Sequence, residues 1–590
     1  MTIYRTILSR GYFPKELPPA FFTEQFANYA TTKRGRAILA QYKPTDNFTQ
    51  CVDYRLALLP HDARVLRIPN PAAFSTLAEL VSKNLRRLLK SASRSPFSKS
   101  RPIYATNHAR AIHGMVAPPN LAKERTISRG GARYLVKTDV SQFYPSLYTH
   151  AVGWAIDPQL RNKKNWGRAK LLGKRLDQAL MNSQGKISQG IPIGNDISFL
   201  LGEVVLAQVD RSLKMAAPER CYRWYDDYEI ACDSYEEAGT ILRSLRKALE
   251  NFQLRTNPIK TEIVALPVAT VEDWKDALLD RAKETLSSAR DMVQYFDAAF
   301  RLRERYPNAP VLLYALGLLF RLRRPADAAA RVAQSGISQC LLSEPGCAQK
   351  AFALLTFWKL NGLALDDKLL RCTVTQIVKS HRDAGVESDV SWALAFCSQN
   401  SLPLAKSAAR LLSELENDCV AIQSLHLDKQ GLLPDGFRKT SLTNALKSQD
   451  PEGEHWLAGY EAVRHGFVAP PASAYSTHTL FRDMLACKVT FYRTRLPAYA
   501  SIIHPGGAPE WAVREWLHSL VSQAKRKGKG PSEGERPEVP MLRLIESDLV
   551  KVQQARRPAK ATADTVFDLL DVFEPEAFAA LLEDEEPYSA

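Results

Sequence analysis

The stretch from Cys221 to Cys232 reads Cys-Tyr-Arg-Trp-Tyr-Asp-Asp-Tyr-Glu-Ile-Ala-Cys, and it constrains the fold more than any other part of the chain. Aromatic and apolar residues fill both of its arms, which predicts two strands packed into a core and joined by a tight turn. Asp226 and Asp227 stand at that turn. Adjacent carboxylates repel each other unless a positive charge lies beside them, and a divalent cation is the usual partner. An isolated Asp-Asp pair is more often an ordinary polar turn, so the rest of the chain decides between the two interpretations.

Segments on both sides of this hairpin complete a mixed pattern of strands and helices. Residues 134–139 predict a strand that ends at Asp139, and a carboxylate there is costly to bury unless it binds something. The Gly/Pro loop at 189–194 opens an apolar helix, for which Asp196 or Ser198 is the expected N-cap. After the hairpin, residues 235–252 predict an amphipathic helix, and a further strand follows it. This order predicts an α+β fold in which an antiparallel sheet carries helices on one side.

Two segments nearer the start of the sequence have a distinctive composition. The segment from Gly11 to Phe21 contains three prolines, so it cannot form a regular helix, and its aromatic residues are expected to anchor it on another surface. Residues 74–91 have apolar residues at helical spacing and a basic polar face. That basic face is either a phosphate-binding surface or an ordinary solvated face, and the sequence leaves both open.

Length, net charge and cysteine spacing limit the classes of protein to which the chain can belong. A chain of 590 residues is too long for one core, so two or more domains are expected. The 79 Lys and Arg exceed the 63 Asp and Glu, and the net charge of +16 favours a polyanionic partner. The nine cysteines show no C-x-x-C spacing, which argues against zinc and against a disulfide framework. Without a signal peptide or a run long enough to cross a membrane, we expect a cytoplasmic protein that binds no membrane.

From about residue 270 the strand pattern gives way to apolar helices. The sequence aromatic-Ala-Leu begins at Tyr314, Phe352 and Trp392, at spacings of 38 (352 − 314) and 40 (392 − 352). A period near 40 residues favours HEAT-like helical repeats, although Ala and Leu are common in any helix. The predicted domains are an N-terminal extension that packs on the next domain, a mixed domain, a helical-repeat domain and an acidic tail, at residues 1–60, 61–270, 271–560 and 561–590.

Taken together, four motifs resemble the palm of reverse transcriptases, in that family's order. They are Asp139-Val-Ser-Gln-Phe-Tyr, Gln189-Gly-Ile-Pro-Ile-Gly, Trp224-Tyr-Asp-Asp and Asn257-Pro-Ile-Lys-Thr-Glu. The resemblance implies fingers and palm subdomains that polymerise dNTPs by phosphoryl transfer. Two Mg²⁺ ions, with Mn²⁺ as a substitute, would neutralise charge on the reacting groups, and three carboxylates can hold them.

The resemblance also assigns roles to individual residues. Asp139, Asp226 and Asp227 would hold the metal ions, and Lys260 would supply a proton or a charge to the departing pyrophosphate. Lys99 and Arg101 would hold the triphosphate, and the other predicted nucleotide-binding residues are Tyr144, Gln189 and Gly190. Among them, Tyr144 falls where the family places an aromatic residue that excludes a ribose 2′-hydroxyl, which favours a DNA product.

Further segments resemble bacterial abortive-infection and other phage-defence reverse transcriptases, a group that joins the polymerase to C-terminal helical repeats. They are Gly11-Tyr-Phe-Pro-Lys-Glu-Leu-Pro-Pro, the sequence from Gly190 to Glu203, and His455-Trp-Leu-Ala-Gly-Tyr-Glu. The resemblance implies a homo-oligomer with a role in antiphage defence. Some members make DNA without a template, attached to a tyrosine of the protein, and others copy a noncoding RNA. The candidate priming residues are Tyr29, Tyr42 and Tyr588.

Two departures from the family pattern affect the primer. The hairpin has Trp224 where Tyr or Phe is usual and bulky Tyr225 at a position that is usually small, and the glycine loop reads Ile-Pro-Ile-Gly-Asn-Asp-Ile-Ser in place of the common retroviral form. Both departures put ordinary primer-template geometry in doubt, but not metal binding. Two alternatives stay open. One is an RNA-templated reverse transcriptase of retron or intron type, and the other is a non-catalytic scaffold that binds nucleic acid or a phage protein.

Overall fold

The computed structural model of the protein describes residues 2–504 apart from 43–47, 59–61, 107, 117–119, 166–169, 216, 284–285, 385, 415, 448, 469–473 and 497–498, together with residues 507, 508, 512 and 516. The first part of the chain combines helices with two small antiparallel hairpins, β1–β2 and β3–β4. Its elements are α1 (Ile3–Arg10), α2 (Glu24–Thr31), α3 (Lys33–Leu39), β1 (Val52–Leu58), β2 (Asp62–Ile68), α4 (Pro71–Ala92), β3 (Pro102–Tyr104), β4 (Ile112–Gly114) and α5 (Leu121–Ser128).

A four-stranded antiparallel sheet follows, with the strand order β6-β7-β5-β8. Its elements and the intervening helices are β5 (Tyr134–Asp139), α6 (Phe143–Ser146), α7 (Thr149–Ile156), α8 (Leu172–Asn182), α9 (Asp196–Ser212), β6 (Cys221–Trp224), β7 (Asp227–Cys232), α10 (Tyr235–Glu250) and β8 (Glu262–Ala265). Short 3₁₀ turns lie at Pro158–Arg161, Lys163–Asn165 and Pro218–Arg220. The predicted order of strand, helices, hairpin, helix and strand is confirmed.

Helix α9 is buried over most of its length and forms the centre of the first core. Its N-cap is Asn195, whose side chain accepts a hydrogen bond from the Ser198 N–H at 2.9 Å. The expectation that Asp196 or Ser198 caps the helix is therefore wrong. Asp196 is instead held by Arg110, whose Nε lies 2.7 Å from Asp196 Oδ1, and by the backbone N–H of Ile112. Because these partners lie far away in the sequence, local spacing could not reveal them.

After β8 the described part of the chain contains no further strand, as the change of pattern near residue 270 predicts. The helices are α11 (Asp273–Lys283), α12 (Ala289–Arg305), α13 (Val311–Leu318), α14 (Asp327–Ser343), α15 (Ala348–Leu360), α16 (Asp367–Ala384), α17 (Ser388–Asn400), α18 (Lys406–Leu412), α19 (Asp418–Lys429), α20 (Lys439–Lys447), α21 (Trp456–Arg464), α22 (Ala474–Thr477), α23 (Thr479–Ala486) and α24 (Ala500–Ile503). A 3₁₀ turn at Leu319–Arg321 extends α13.

Alternate helices of this region pack on one another in two layers. One layer contains α11, α13, α15, α17, α19 and α21, and the other contains α12, α14, α16 and α18. The three aromatic-Ala-Leu sequences lie in α13, α15 and α17, which are neighbours in the first layer. Phe352 of α15 stacks on Phe396 of α17, with ring centroids 4.8 Å apart. The layered packing is compatible with helical pairs, while their classification as HEAT-like repeats stays a prediction.

Buried apolar residues form two clusters. The first joins the sheet and its helices to the N-terminal helices and to residues 419–492, and the second joins residues 274–427 to positions 499–516. Helix α19 contributes side chains to both clusters, since Ile422 belongs to the first cluster and Val420 belongs to the second. A helix with apolar residues around its circumference is expected between two such cores. The domain limits at residues 60, 270 and 560 stay predictions, and the acidic tail lies outside the described residues.

The aromatic residues of the proline-rich N-terminal segment are anchored as expected. Tyr12 stacks on Phe74 of α4 at a centroid distance of 4.0 Å, and Phe13 packs against Phe491 at 5.6 Å. The Tyr12 hydroxyl donates a hydrogen bond to the Pro69 carbonyl. These contacts tie the start of the chain to the first core and to the end of the helical region.

Within the described residues, no helix has both the length and the apolar character needed to cross a membrane.

Candidate functional site

Three carboxylates meet at one end of the four-stranded sheet. Asp139, the last residue of β5, is the register partner of Asp227, the first residue of β7. The N–H of Val140, the residue after Asp139, donates to the carbonyl of Asp226 at 3.2 Å. Antiparallel pairing thus brings together two segments that are more than eighty residues apart in the sequence. Asp139 is 7% exposed, Asp226 is half-buried and Asp227 is exposed.

The cluster is short of positive charge. Burial, with repulsion from Asp139 and Asp227, raises the pKa of Asp226 to about 7. The pKa of Asp227 is also raised, by burial and then by Asp139, and Lys260 opposes that change. Lys260 Nζ lies 2.6 Å from Asp139 Oδ2, and this hydrogen bond raises the pKa of the lysine. Because Lys260 is 61% exposed, water screens much of its charge.

The donor set fits a divalent cation. Asp139 Oδ1 is buried and has no hydrogen-bond partner, whereas Oδ2 binds Lys260. A buried carboxylate oxygen without a partner is costly, and hard cations such as Mg²⁺ prefer oxygen ligands of this kind. Among the residues that the structure describes, however, no three His, Cys, Asp or Glu side chains already form an arrangement that could hold a metal ion. The residue types and the unpartnered oxygen therefore suit a cation, and the side chains would have to converge on it.

Tyr144 lies beside this cluster on α6. Burial, together with the nearby charges of Glu203 and Asp226, raises the pKa of Tyr144 well above its usual value. Gly202 of α9 gives the ring its space, because a Cβ at that position would stand 3.0 Å from Phe143 and 3.3 Å from Tyr144. The tyrosine is thus confined between α9 and the carboxylates.

The glycine loop is fastened to α6. The Ile191 N–H donates to the Tyr144 carbonyl at 3.1 Å, and the Gln189 side chain donates to the Ser146 carbonyl at 3.2 Å. Gly190 has φ +79°, and a Cβ there would lie 3.0 Å from the Pro145 carbonyl oxygen. A glycine is required at this position both by its left-handed backbone and by the close approach of α6.

The comparison with protein families agrees with this geometry. Residues 62–294, which include all four motifs and the whole sheet, match the reverse transcriptase (RNA-dependent DNA polymerase) family. The chain contains a reverse transcriptase domain. No curated protein matches the chain.

Two telomerase structures are among the solved structures similar to this chain. The structure of apo telomerase from Candida Tropicalis has 11% identity and a TM-score of 0.29, with 67% of this chain and 72% of that chain covered. Telomerase from Candida albicans, in complex with a TWJ fragment of telomeric RNA, has 12% identity and a TM-score of 0.24, with 63% and 69% covered. Scores this low carry no inference about the present chain.

The two predicted triphosphate-binding residues, Lys99 and Arg101, lie on the segment that runs along β6. The Lys99 N–H donates to the Arg223 carbonyl at 2.8 Å, and Lys99 Nζ forms an ion pair with Glu124 at 2.6 Å. Arg101 Nε is buried without a hydrogen-bond partner. The ammonium of Lys99 is therefore already engaged, and the triphosphate role of both residues stays a prediction.

Sequence reasoning missed Arg64, which lies in the hairpin β1–β2 and on the exposed surface. Its charge acts to lower the pKa of Tyr144, against the larger effect of burial, so Arg64 lies within electrostatic range of that residue. The available signal was the pair of apolar-rich stretches at 52–58 and 62–68, which together suggest a hairpin.

The three candidate priming tyrosines differ in their surroundings. Tyr29 is only 5% exposed, and its hydroxyl donates to Asp483 at 2.7 Å. In this conformation Tyr29 lacks the accessibility that a primer requires. The Tyr42 hydroxyl lies 3.2 Å from His478 Nε2, and burial raises the pKa of Tyr42 to about 12. Tyr588 lies outside the described residues.

Proposed function

We propose that the reverse transcriptase domain polymerises deoxynucleotides by phosphoryl transfer at the carboxylate cluster. The observation that carries the proposal is the pairing of Asp139 with Asp227, which brings Asp226 and Lys260 to the same end of the sheet. The raised pKa of Asp226 supports it, because repelling carboxylates are expected where a cation is required.

Each residue has a defined task in this proposal. Asp139, Asp226 and Asp227 would hold two Mg²⁺ ions or Mn²⁺ in their place. When bound, the cations would neutralise charge on the attacking oxygen, the transferred phosphoryl group and the leaving pyrophosphate. Lys260 would supply a proton or a charge to the departing pyrophosphate. Its hydrogen bond to Asp139 raises the pKa of Lys260, which holds the proton on Nζ and favours the role of a positive charge.

The remaining residues select and orient the nucleotide. Tyr144, confined by α9, would exclude a ribose 2′-hydroxyl and so favour dNTPs. Gln189 and Gly190, fastened to α6, would support the paired template and nucleotide. We propose that Lys99 and Arg101, on the segment beside β6, neutralise the triphosphate together with Arg64 of the β1–β2 hairpin.

The source of the primer and the template separates two versions of this function. Resemblance to abortive-infection reverse transcriptases supports antiphage defence by a homo-oligomer, with template-independent DNA synthesis that starts on a protein tyrosine. The family match, whose description is an RNA-dependent DNA polymerase, favours a templated alternative in which a noncoding RNA is copied. Of the described candidates, Tyr42 is the less buried primer.

The test is incubation of purified protein with each labelled dNTP and Mg²⁺, with no template or primer added. The proposal predicts incorporation by the wild-type protein and none by the double variant Asp226→Ala/Asp227→Ala. Label that stays with the protein until protease treatment supports tyrosine priming. Incorporation that ribonuclease pretreatment abolishes, together with a single co-purified RNA on sequencing, supports the templated alternative. If the wild-type protein incorporates no dNTP, with or without ribonuclease pretreatment, and the double variant still protects against phage, a non-catalytic scaffold is favoured.

A further inference from the structure

The tip of the β6–β7 hairpin has an unusual backbone. Tyr225, which separates Trp224 from Asp226, has φ +52°. A bulky residue rarely adopts this left-handed conformation unless the surrounding structure enforces it. Since Tyr225 immediately precedes Asp226, its backbone sets the direction from which that carboxylate leaves the chain.

Both peptide groups of Tyr225 are held by side chains. Its N–H donates to Ser100 Oγ at 2.8 Å, and its carbonyl accepts from Arg223 Nη1 at 2.7 Å. Ser100 comes from the segment beside β6, and Arg223 comes from β6 itself. The tip is therefore fixed from two directions, independently of the pairing between β6 and β7.

Glu203 of α9 joins these two side chains. Ser100 Oγ donates to Glu203 Oε1 at 2.8 Å, so its hydroxyl accepts from Tyr225 and donates to Glu203 at the same time. Arg223 donates to the same carboxylate through Nη1 at 2.9 Å and Nη2 at 3.1 Å. Arg223 is 0% exposed and Glu203 is 2% exposed. A bidentate pair in such surroundings has a fixed geometry.

The outer members of the network are satisfied as well. Arg223 Nε donates to Asp210 at 2.9 Å, and the Tyr228 hydroxyl donates to the other oxygen of Asp210 at 2.8 Å. Ser98 Oγ donates to Glu203 Oε2 at 3.1 Å. A buried polar network in which each member has partners holds one arrangement, whereas one with missing partners does not.

We propose that Ser100, Glu203 and Arg223 form a latch that positions the Asp226 carboxylate for its divalent cation. These are positioning residues, because they act through the Tyr225 backbone and not through contact with substrate. The latch also connects the Asp226 carboxylate to the segment that carries Lys99, because Ser100 directly follows Lys99 in the chain. The Lys99 N–H donates to the Arg223 carbonyl. This inference rests on the proposed function and adds the residues that set the geometry of the metal site.

The test uses Ser100→Ala, because removal of Arg223 or Glu203 would leave an unpaired buried charge, which is strongly destabilising. Ser338→Ala in α14 is the matched control. Ser338 is also a buried serine, hydrogen-bonded to Thr373 at 2.6 Å, and its neighbours Ile337 and Cys340 belong to the second cluster. Two measurements apply, namely hydrogen exchange of the peptide 221–228 in metal-free protein and Mn²⁺ affinity from the electron paramagnetic resonance signal of free Mn²⁺.

The latch predicts that Ser100→Ala speeds exchange in peptide 221–228 about tenfold and weakens Mn²⁺ binding about tenfold, the effect of one net hydrogen bond. Ser338→Ala should change neither value. Wild-type exchange and affinity in Ser100→Ala would overturn the latch. In the wild-type protein alone, exchange of the Tyr225 amide at the rate of an unprotected amide would also overturn it, whether or not the variants fold.

These readouts separate the latch from the proposed function. If the wild-type protein binds Mn²⁺ but incorporates no dNTP, the polymerase proposal fails, and the exchange and Mn²⁺ data still decide the latch. If incorporation occurs and Ser100→Ala leaves the tip unchanged, the latch fails and the polymerase proposal stands.

Discussion

Gly190→Ala tests how tightly the glycine loop must approach α6. A left-handed backbone such as φ +79° costs an alanine about 1 kcal/mol relative to glycine. The new Cβ would also stand 3.0 Å from the Pro145 carbonyl oxygen and 3.4 Å from the Pro145 Cα. These atoms belong to the backbone and cannot rotate away, so crowding adds about 1–3 kcal/mol. We expect a total loss of about 2–4 kcal/mol in the free energy of unfolding.

Gly431→Ala is the matched control. Gly431 has φ +73°, and nothing lies within 4 Å of the position that its Cβ would take. Gly431→Ala should lose only about 1 kcal/mol in the free energy of unfolding, the contribution of the left-handed backbone. The assay is urea denaturation followed by circular dichroism, with dNTP incorporation measured in parallel. Equal destabilisation of the two variants would refute the steric argument, because crowding against Pro145 is the difference between them.

Three further predictions concern single side chains. Tyr144→Val should let the enzyme incorporate ribonucleotides, measured as the ratio of rNTP to dNTP incorporation, because the bulk beside the sugar is removed. Lys260→Met should lower the rate constant of incorporation about 100-fold with little change in melting temperature, because the lysine is exposed. Burial lowers the pKa of His426 to about 4, so the unfolded chain takes up its proton first as pH falls, and stability should drop by about 2 kcal/mol between pH 7.5 and about pH 5. His426→Gln should remove that loss in denaturation curves.

Each of these predictions has a result that contradicts it. Unchanged discrimination against rNTPs in the Tyr144 variant would show that another residue contacts the ribose. Wild-type rates in the Lys260 variant would exclude the lysine from the chemical step. A loss of stability in acid that is the same with and without His426 would place its cause in other groups.

Local sequence signals were enough to predict the sheet that carries the site. The strand ending at Asp139 and the turn at Asp226 are visible because apolar residues stop at a carboxylate. The helices at 74–91 and 235–252 were visible from their spacing, and the structure has them as α4 and α10. The residues of the site were named from motifs, whereas their proximity follows from antiparallel pairing of β5 with β7.

Contacts between distant segments had no local signal. The Trp392 indole donates to the Glu16 carbonyl at 2.9 Å, which joins the helical region to the N-terminal segment across 376 residues. Arg223 is bound by Glu203, yet from sequence it was only one residue of a strand. Neither residue type names its partner, because the residues that meet Trp392 and Arg223 are set by the fold and not by neighbours in the sequence. The fold therefore determines which polar groups support the hairpin tip.

The central claim is that the paired carboxylates carry out metal-dependent nucleotidyl transfer. The most direct measurement is the Mg²⁺-dependent rate of labelled dNTP incorporation by the wild-type protein, Asp139→Asn and Asp233→Asn. Asp233 is the control, because it lies beyond the opposite end of β7, is 65% exposed and pairs with Arg220. The account predicts a loss of at least about 100-fold for Asp139→Asn and a rate within about twofold of wild type for Asp233→Asn. A wild-type rate in Asp139→Asn would contradict it.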